Sequence, residues 1–354
     1  MTATPDPRCR RVLRLAVGTA LCLAISFGLA LPIPMVAPVL GVVLLASMNS
    51  PLSLKAAVGL VLVVMLTTAS GLLLSPLLRY YPLSGVLLIG VCLFAAFRYG
   101  LRGGNSLVSL FLVVGLTMIS AAGTVDFALA ALAVEALAKG LLVAVAALGF
   151  CHLLFPEPAA APPPPKPPIP PVREADRIAL RAALVVLPAF LLALTDPLGY
   201  MPIILKSVSL GRQSCVTAAH GAARELLGST LLGGVLAILF WCLLSLFVSL
   251  WMFFLWMLLF GLVAGRRLYR LSPTSHPPSF WLNALVTLVI LLGQSVQDSL
   301  AGKDVHTAFA VRMGLFIAVS LYACLMLQWL EPQSRPSRTA GRSRRNPFKR
   351  PTRS

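Results

Sequence analysis

Charge is scarce in this chain, and negative charge is scarcest. Asp and Glu number 11 in 354 residues, and all charged residues together make up 11%, where a soluble domain carries about a quarter. With 58% hydrophobic residues and a mean hydropathy of +0.90, this deficit excludes a soluble globular protein. Alternating ten-residue strands are lacking, which excludes a membrane β-barrel. The seven cysteines contain no CxxC pair, and His152, His220, His276 and His306 are scattered, so neither a metal site nor a cofactor is expected. No G-x-x-x-x-G-K-[ST] loop is present, so the chain does not hydrolyse ATP by that route. Acids and histidines do not cluster, and an enzyme is not expected.

What the sequence has in quantity is apolar runs of about 20 residues, the length that crosses a bilayer as a helix. They fall on either side of Pro156–Pro171, a stretch with four consecutive prolines, Pro162 to Pro165. Such a run ends a helix and favours extended polyproline II. The flanking halves resemble each other. One opens Arg11-Val12-Leu13-Arg14 and closes Phe155-Pro156-Glu157-Pro158, and the other opens Arg177-Ile178-Ala179-Leu180-Arg181 and closes Leu330-Glu331-Pro332. The expected fold is therefore all-α and integral to the membrane, with about twelve spans arranged as two parallel six-helix repeats. Residues 1–155 form the first repeat, 156–172 a proline-rich cytoplasmic linker, 173–332 the second repeat, and 333–354 a basic, disordered cytoplasmic tail.

The first half places spans at about Leu13–Leu31, Met35–Met48, Ala56–Leu78, Leu83–Phe97, Ser106–Ala122 and Ala128–Leu154. In the second half they fall at about Ile178–Leu194 and Tyr200–Leu210, then as two within Leu226–Ala264, then at Phe280–Val296 and Val305–Leu330. This threading leaves Arg79 and Lys303 outside and Lys139 and Arg312 deep within spans, and counts every other cation of the 29 as cytoplasmic, Arg14, Arg181 and Lys206 included although they fall within the span ranges, in keeping with the positive-inside rule. The formal net charge of +18 is thus read as orientation signal and attraction to lipid headgroups, not as a nucleic-acid site. An even span count per half gives both halves one orientation. The short second spans, Met35–Met48 and Tyr200–Leu210, occupy equivalent places, and such proline-interrupted pairs point to a transport site. Small residues four apart, Thr67/Gly71, Ser229/Gly233, Thr230/Gly234 and Gly261/Gly265, read as helix packing.

A charge inside a span costs roughly 2.5–3.5 kcal/mol and marks function by default. Glu135 and Lys139 lie four apart on the sixth span, in the favourable order for an ion pair, and Arg312 lies on the twelfth. Matching Glu157-Pro158 to Glu331-Pro332 brings Arg312 to nearly the depth of Lys139, with Glu135 as the one acid at that level. Lys139 and Arg312 are therefore expected to face each other and attract an anionic substrate, Glu135 holding Lys139 and carrying a coupling proton. The plainer alternative is a structural ion pair plus an arginine reaching for headgroups. Asp126, Asp298 and Asp304 are placed near the outer surface.

The segment Arg224-Glu225-Leu226-Leu227-Gly228-Ser229-Thr230-Leu231-Leu232-Gly233 resembles the Arg-x-x-x-Gly element that opens a span in the fusaric-acid-resistance (FUSC) and aromatic-acid-exporter superfamily. Tyr200-Met201-Pro202-Ile203 resembles its short second span. The large cytoplasmic domain usual between the halves is missing, and the first-half counterpart is reduced to Lys55, Gly59, Thr67 and Gly71. The resemblance implies a multi-pass protein of a bacterial-type inner membrane with both termini cytoplasmic. It implies proton-coupled export of small anionic, aromatic carboxylic acid-like compounds, with Arg224 at the cytoplasmic entrance. The expected partners are the anionic substrate, membrane lipid, a periplasmic membrane-fusion adaptor and further copies of the chain. The competing reading is a non-transporting membrane subunit that anchors an adaptor or envelope complex, with the strap and tail as docking elements.

Overall fold

The computed structural model describes residues 6–48, 53–156, 170–215 and 219–329. Most of the proline strap and the whole basic tail lie outside them. Among the described residues the chain is helical throughout: α1 (Pro7–Gly28), α2 (Val36–Ser47), α3 (Leu54–Tyr80), α4 (Pro82–Leu101), α5 (Ser106–Val125), α6 (Phe127–Leu154), α7 (Val172–Thr195), α8 (Pro197–Ser214), α9 (Ala219–Leu246), α10 (Leu250–Leu268), α11 (Pro278–Leu300) and α12 (Val305–Trp329). Ten of these are long and apolar enough to cross a membrane, which makes this a multi-span membrane protein. The other two are α2 and α8, the short helices expected from the sequence, so among the described residues ten helices, not twelve, have the length and composition of full spans.

Helix starts follow local chemistry. Asp6, Asn105, Asp126 and Asp196 each accept a backbone N–H of the first turn of α1, α5, α6 and α8, and Pro7, Pro82 and Pro197 occupy first positions that have no hydrogen bond to lose.

Packing follows the small residues. Gly261 and Gly265 of α10 lie against Ala16 and Val12 of α1. The backbone of α3 at Gly71 meets the carbonyl of Gly115 in α5, and Gly233 of α9 lies on Thr287 and the Ala284 carbonyl of α11. The packing reading of these spacings therefore holds. The two halves also interlock. α1 packs on α10 and α4 packs on α7, so the first helix of each half lies on the fourth of the other. Within each half the first helix packs on the second, the third on the fifth, and the second on the sixth.

The two most buried spans are α5 and α11, 72% and 78% buried over their apolar windows, and α8 packs between them. The basic residues collect at one end of the bundle. There Arg10 donates to the Pro156 carbonyl (2.8 Å), Arg98 pairs with Asp176 (2.7 Å), and Arg267 lies 4.7 Å from the Trp281 ring centroid. The starts of α1, α7 and α11 and the ends of α4, α6 and α10 therefore share one face.

Candidate functional site

The sequence-predicted cations are not brought together. Lys139 and Glu135 form an ion pair of 2.5 Å on one face of α6, each about half exposed. Arg312 forms a two-pronged pair with Asp298, Nη2 to Oδ1 at 2.9 Å and Nη1 to Oδ2, with side chains 16% and 7% exposed. α6 and α12 are not among the helix pairs that pack together. The face-to-face arrangement of Lys139 and Arg312 is thus corrected, and the reason is the placement of Asp298. That carboxylate is not a solvated cap but is buried near the end of α11, where it neutralises Arg312. Asp126 and Asp304 are helix caps. Hydrogen bonds from the Thr307 hydroxyl and the His306 backbone hold the Asp304 carboxyl below its ordinary range, which fits a cap and not a proton carrier. Arg224 is exposed at the basic end of α9.

The interior site belongs to Lys206, which sequence reasoning counted among the cytoplasmic cations. Lys206 lies midway along α8 with none of its surface exposed. Its Nζ donates to Thr287 Oγ1 at 2.7 Å and to Asn283 Oδ1 at 3.2 Å, and sits 5.9 Å from the centroid of the Phe316 ring. Among the described residues no carboxylate pairs with it.

The acceptors are aimed by a chain of further bonds. The Thr287 hydroxyl gives its proton to the Asn283 carbonyl (2.7 Å), which leaves Oγ1 to accept from Nζ. Asn283 Nδ2 donates to Ser229 Oγ (2.6 Å), and Ser229 donates to the Leu226 carbonyl (3.1 Å), so Oδ1 is turned to Lys206. Two aimed acceptors and an aromatic face suit an ammonium, which has three donors and no acceptor.

These residues continue as a polar column toward the basic end. Ser279, Asn283 and Thr287 recur every four residues on α11 and share one face. Glu225 and Ser229 do the same on α9, and Lys206, Ser209 and Gln213 line α8. Buried Glu225 accepts from Gln213 Nε2 (3.0 Å) and from the Ser279 hydroxyl. From Ser279 to Thr287 the column is about 12 Å long at 1.5 Å per residue. Beyond it, Leu288 to Leu292 are all buried and apolar, and polar groups resume only at Gln294, Ser295 and Asp298. The column therefore leads in from the basic end and stops at an apolar layer. The segment Arg224–Gly233, singled out in the sequence, forms one of its walls. Two surface clefts of about 450 and 390 Å³ lie elsewhere, at the α10–α11 loop around Thr274 and His276.

Two sequence signals pointed here, the short proline-interrupted helix and the Arg224–Gly233 segment near the start of α9. What was missed is that α8 is embedded among other helices, which turns its single lysine inward. Residues 11–151, which cover most of α1–α6, match the family described as Protein of unknown function (DUF2955). No curated protein and no solved structure matches the chain. The Lys206 column lies outside the matched stretch.

Proposed function

We propose that the chain is a secondary transporter that exports small anionic, aromatic carboxylic acid-like compounds in exchange for protons, with Lys206 as the group that receives the carboxylate. One observation carries this reading: a lysine with no exposed surface that neutral acceptors hold in the interior of a multi-span bundle. A lysine kept for architecture alone is expected beside an acid, as Arg312 is beside Asp298. Burying an unbalanced charge costs several kcal/mol, and an arriving carboxylate offsets that cost. The polar column supplies the approach from the basic end, and Glu225 at its mouth is the acid available to exchange protons. Lys139 and Glu135 have no part in this pathway.

The reading extends to relationship and setting. The recurrence of the same helix contacts in both halves supports a duplicated six-helix unit. The Arg224–Gly233 wall supports kinship with the FUSC and aromatic-acid-exporter superfamily, and with it a bacterial-type inner membrane, cytoplasmic termini and a periplasmic membrane-fusion adaptor.

The test uses purified protein in liposomes with an imposed pH gradient and radiolabelled benzoate and salicylate. Gradient-dependent accumulation that disappears in Lys206→Met is the expected result. Absence of any gradient-dependent flux in correctly folded wild-type protein would favour a non-transporting membrane subunit.

A further inference from the structure

We propose that the outer face of α6 is a homodimer interface, in which Glu135 and Lys139 meet the same pair on a second copy of the chain in the same membrane orientation. The argument starts from depth. α6 has 28 residues and so measures about 42 Å, and Lys139 lies about 18 Å from one end and 23 Å from the other. In a hydrocarbon core of about 30 Å that position is close to the midplane. A lysine side chain extends about 6 Å, too short to reach either headgroup layer from there. Yet Lys139 and Glu135 are about half exposed on the outside of the bundle, amid exposed Ala128, Ala131, Leu132, Leu142 and Ala146. Lipid is a poor neighbour for two charges at this depth, each costing roughly 2.5–3.5 kcal/mol on insertion scales.

The covering partner must offer both signs of charge at the same depth. A second copy does so, because a two-fold axis along the membrane normal preserves the depth of every residue. Each lysine then has a glutamate of its own chain and one of the partner within a helical turn, and the four charges neutralise one another away from lipid. The small side chains of the face let two α6 helices approach closely. Gly149, further along the helix, has nothing within 4 Å of where a Cβ would stand, so among the described residues this face is left uncovered. The proposal is independent of the transport reading, since no residue of the Lys206 column takes part.

Oxidative cross-linking of the full-length protein in native membranes tests it. Ala131→Cys and Leu142→Cys place thiols on the face without touching the ion pair. Leu87→Cys, on the exposed side of α4, is the control. The parent protein, which carries exposed Cys9 and Cys242, gives the background. Two differently tagged copies should appear in one adduct of twice the chain mass for Ala131→Cys and Leu142→Cys only. An adduct with a different protein, equal cross-linking at Leu87→Cys, or single copies in bilayers by photobleaching counts would each overturn the proposal. A charge exchange sharpens it. Glu135→Lys in one copy and Lys139→Glu in the other should pair with each other at wild-type strength, while each alone self-associates about tenfold more weakly, a loss of 1.4 kcal/mol. Equal self-association of the swapped chains would count against the interface. If a swapped chain fails to reach the membrane, the cysteine result decides.

Discussion

Lys139 and Lys206 carry the same charge on the same bundle, one on its outer face and the other in its interior, and they are balanced by opposite strategies. Lys139 is paired with an acid one turn away on its own helix, a contact that an isolated helix can make before any packing. Lys206 has only neutral partners, both on α11, and these are aimed by α9. Its site exists only once three helices have met. A charge neutralised within its own helix demands nothing of the tertiary structure beyond escape from lipid. A charge held by neutral groups from other helices keeps its field available to whatever enters.

The sharpest way to break that contrast is Lys206→Met, which keeps the length and removes the charge. Benzoate flux in liposomes should fall to background, and the two acceptors left without a donor should each cost about 1–3 kcal/mol, seen as a lower melting temperature in detergent. Flux at the wild-type level would move the site away from α8.

Asp298→Ala comes next. It leaves Arg312 buried without its carboxylate, for a loss of about 3–5 kcal/mol, and the double variant Asp298→Leu/Arg312→Met should recover most of it. Thermal unfolding of the three proteins checks this, and a tolerated Asp298→Ala would show that the pair behaves like an exposed one.

Gly233→Ala tests the seam behind Lys206. A Cβ there would stand 2.6 Å from Thr287 Cβ and 2.7 Å from the Ala284 carbonyl oxygen, so about 1–3 kcal/mol should be lost as α9 is pushed off α11. Gly149→Ala on the open face of α6 should stay within about 0.5 kcal/mol.

The smallest effect on the single chain is expected from Glu135→Leu/Lys139→Leu. Its stability should not fall, because two charges that are costly beside lipid are replaced by apolar side chains, and its benzoate flux should be kept, while cross-linking of Ala131→Cys in that background is lost. Loss of flux would return Lys139 to the transport pathway.

The fold was largely readable because bilayer-length apolar runs and their caps are local. The joint between α9 and α10 near Ser245–Ser249, the short α2 and α8, and the glycine seams all fall where residue spacing puts them. The site was readable only in part. Charges in strongly apolar windows draw attention, so Glu135, Lys139 and Arg312 were found. Asp298 follows Gln294 and Ser295, and Lys206 precedes Ser207 and Ser209, so both sit in mixed stretches that resemble helix ends. Whether such a residue is solvated or enclosed depends on neighbours far away along the chain, as when α5 of the first half covers α8 of the second.

One turn of α5, Gly115–Ile119, is a π turn inside an otherwise α-helical span. A π turn holds one residue more than the helix around it, so Ser120–Val125 is set about 100° out of phase with Ser106–Val114. That phase shift lets Ser109 and Val113 face the core on one side of the turn and Ser120, Ala121 and Ala122 on the other. It falls where α3 touches α5 backbone to backbone, with the Thr67 carbonyl oxygen 2.6 Å from where a Cβ on Gly115 would stand. Deleting one residue from this turn would rewind the helix into register and swing Ser120 by about 100° around the axis, away from the side it now faces. The extra residue is therefore a timing correction, and it lets a single span present two different faces to the interior at two depths.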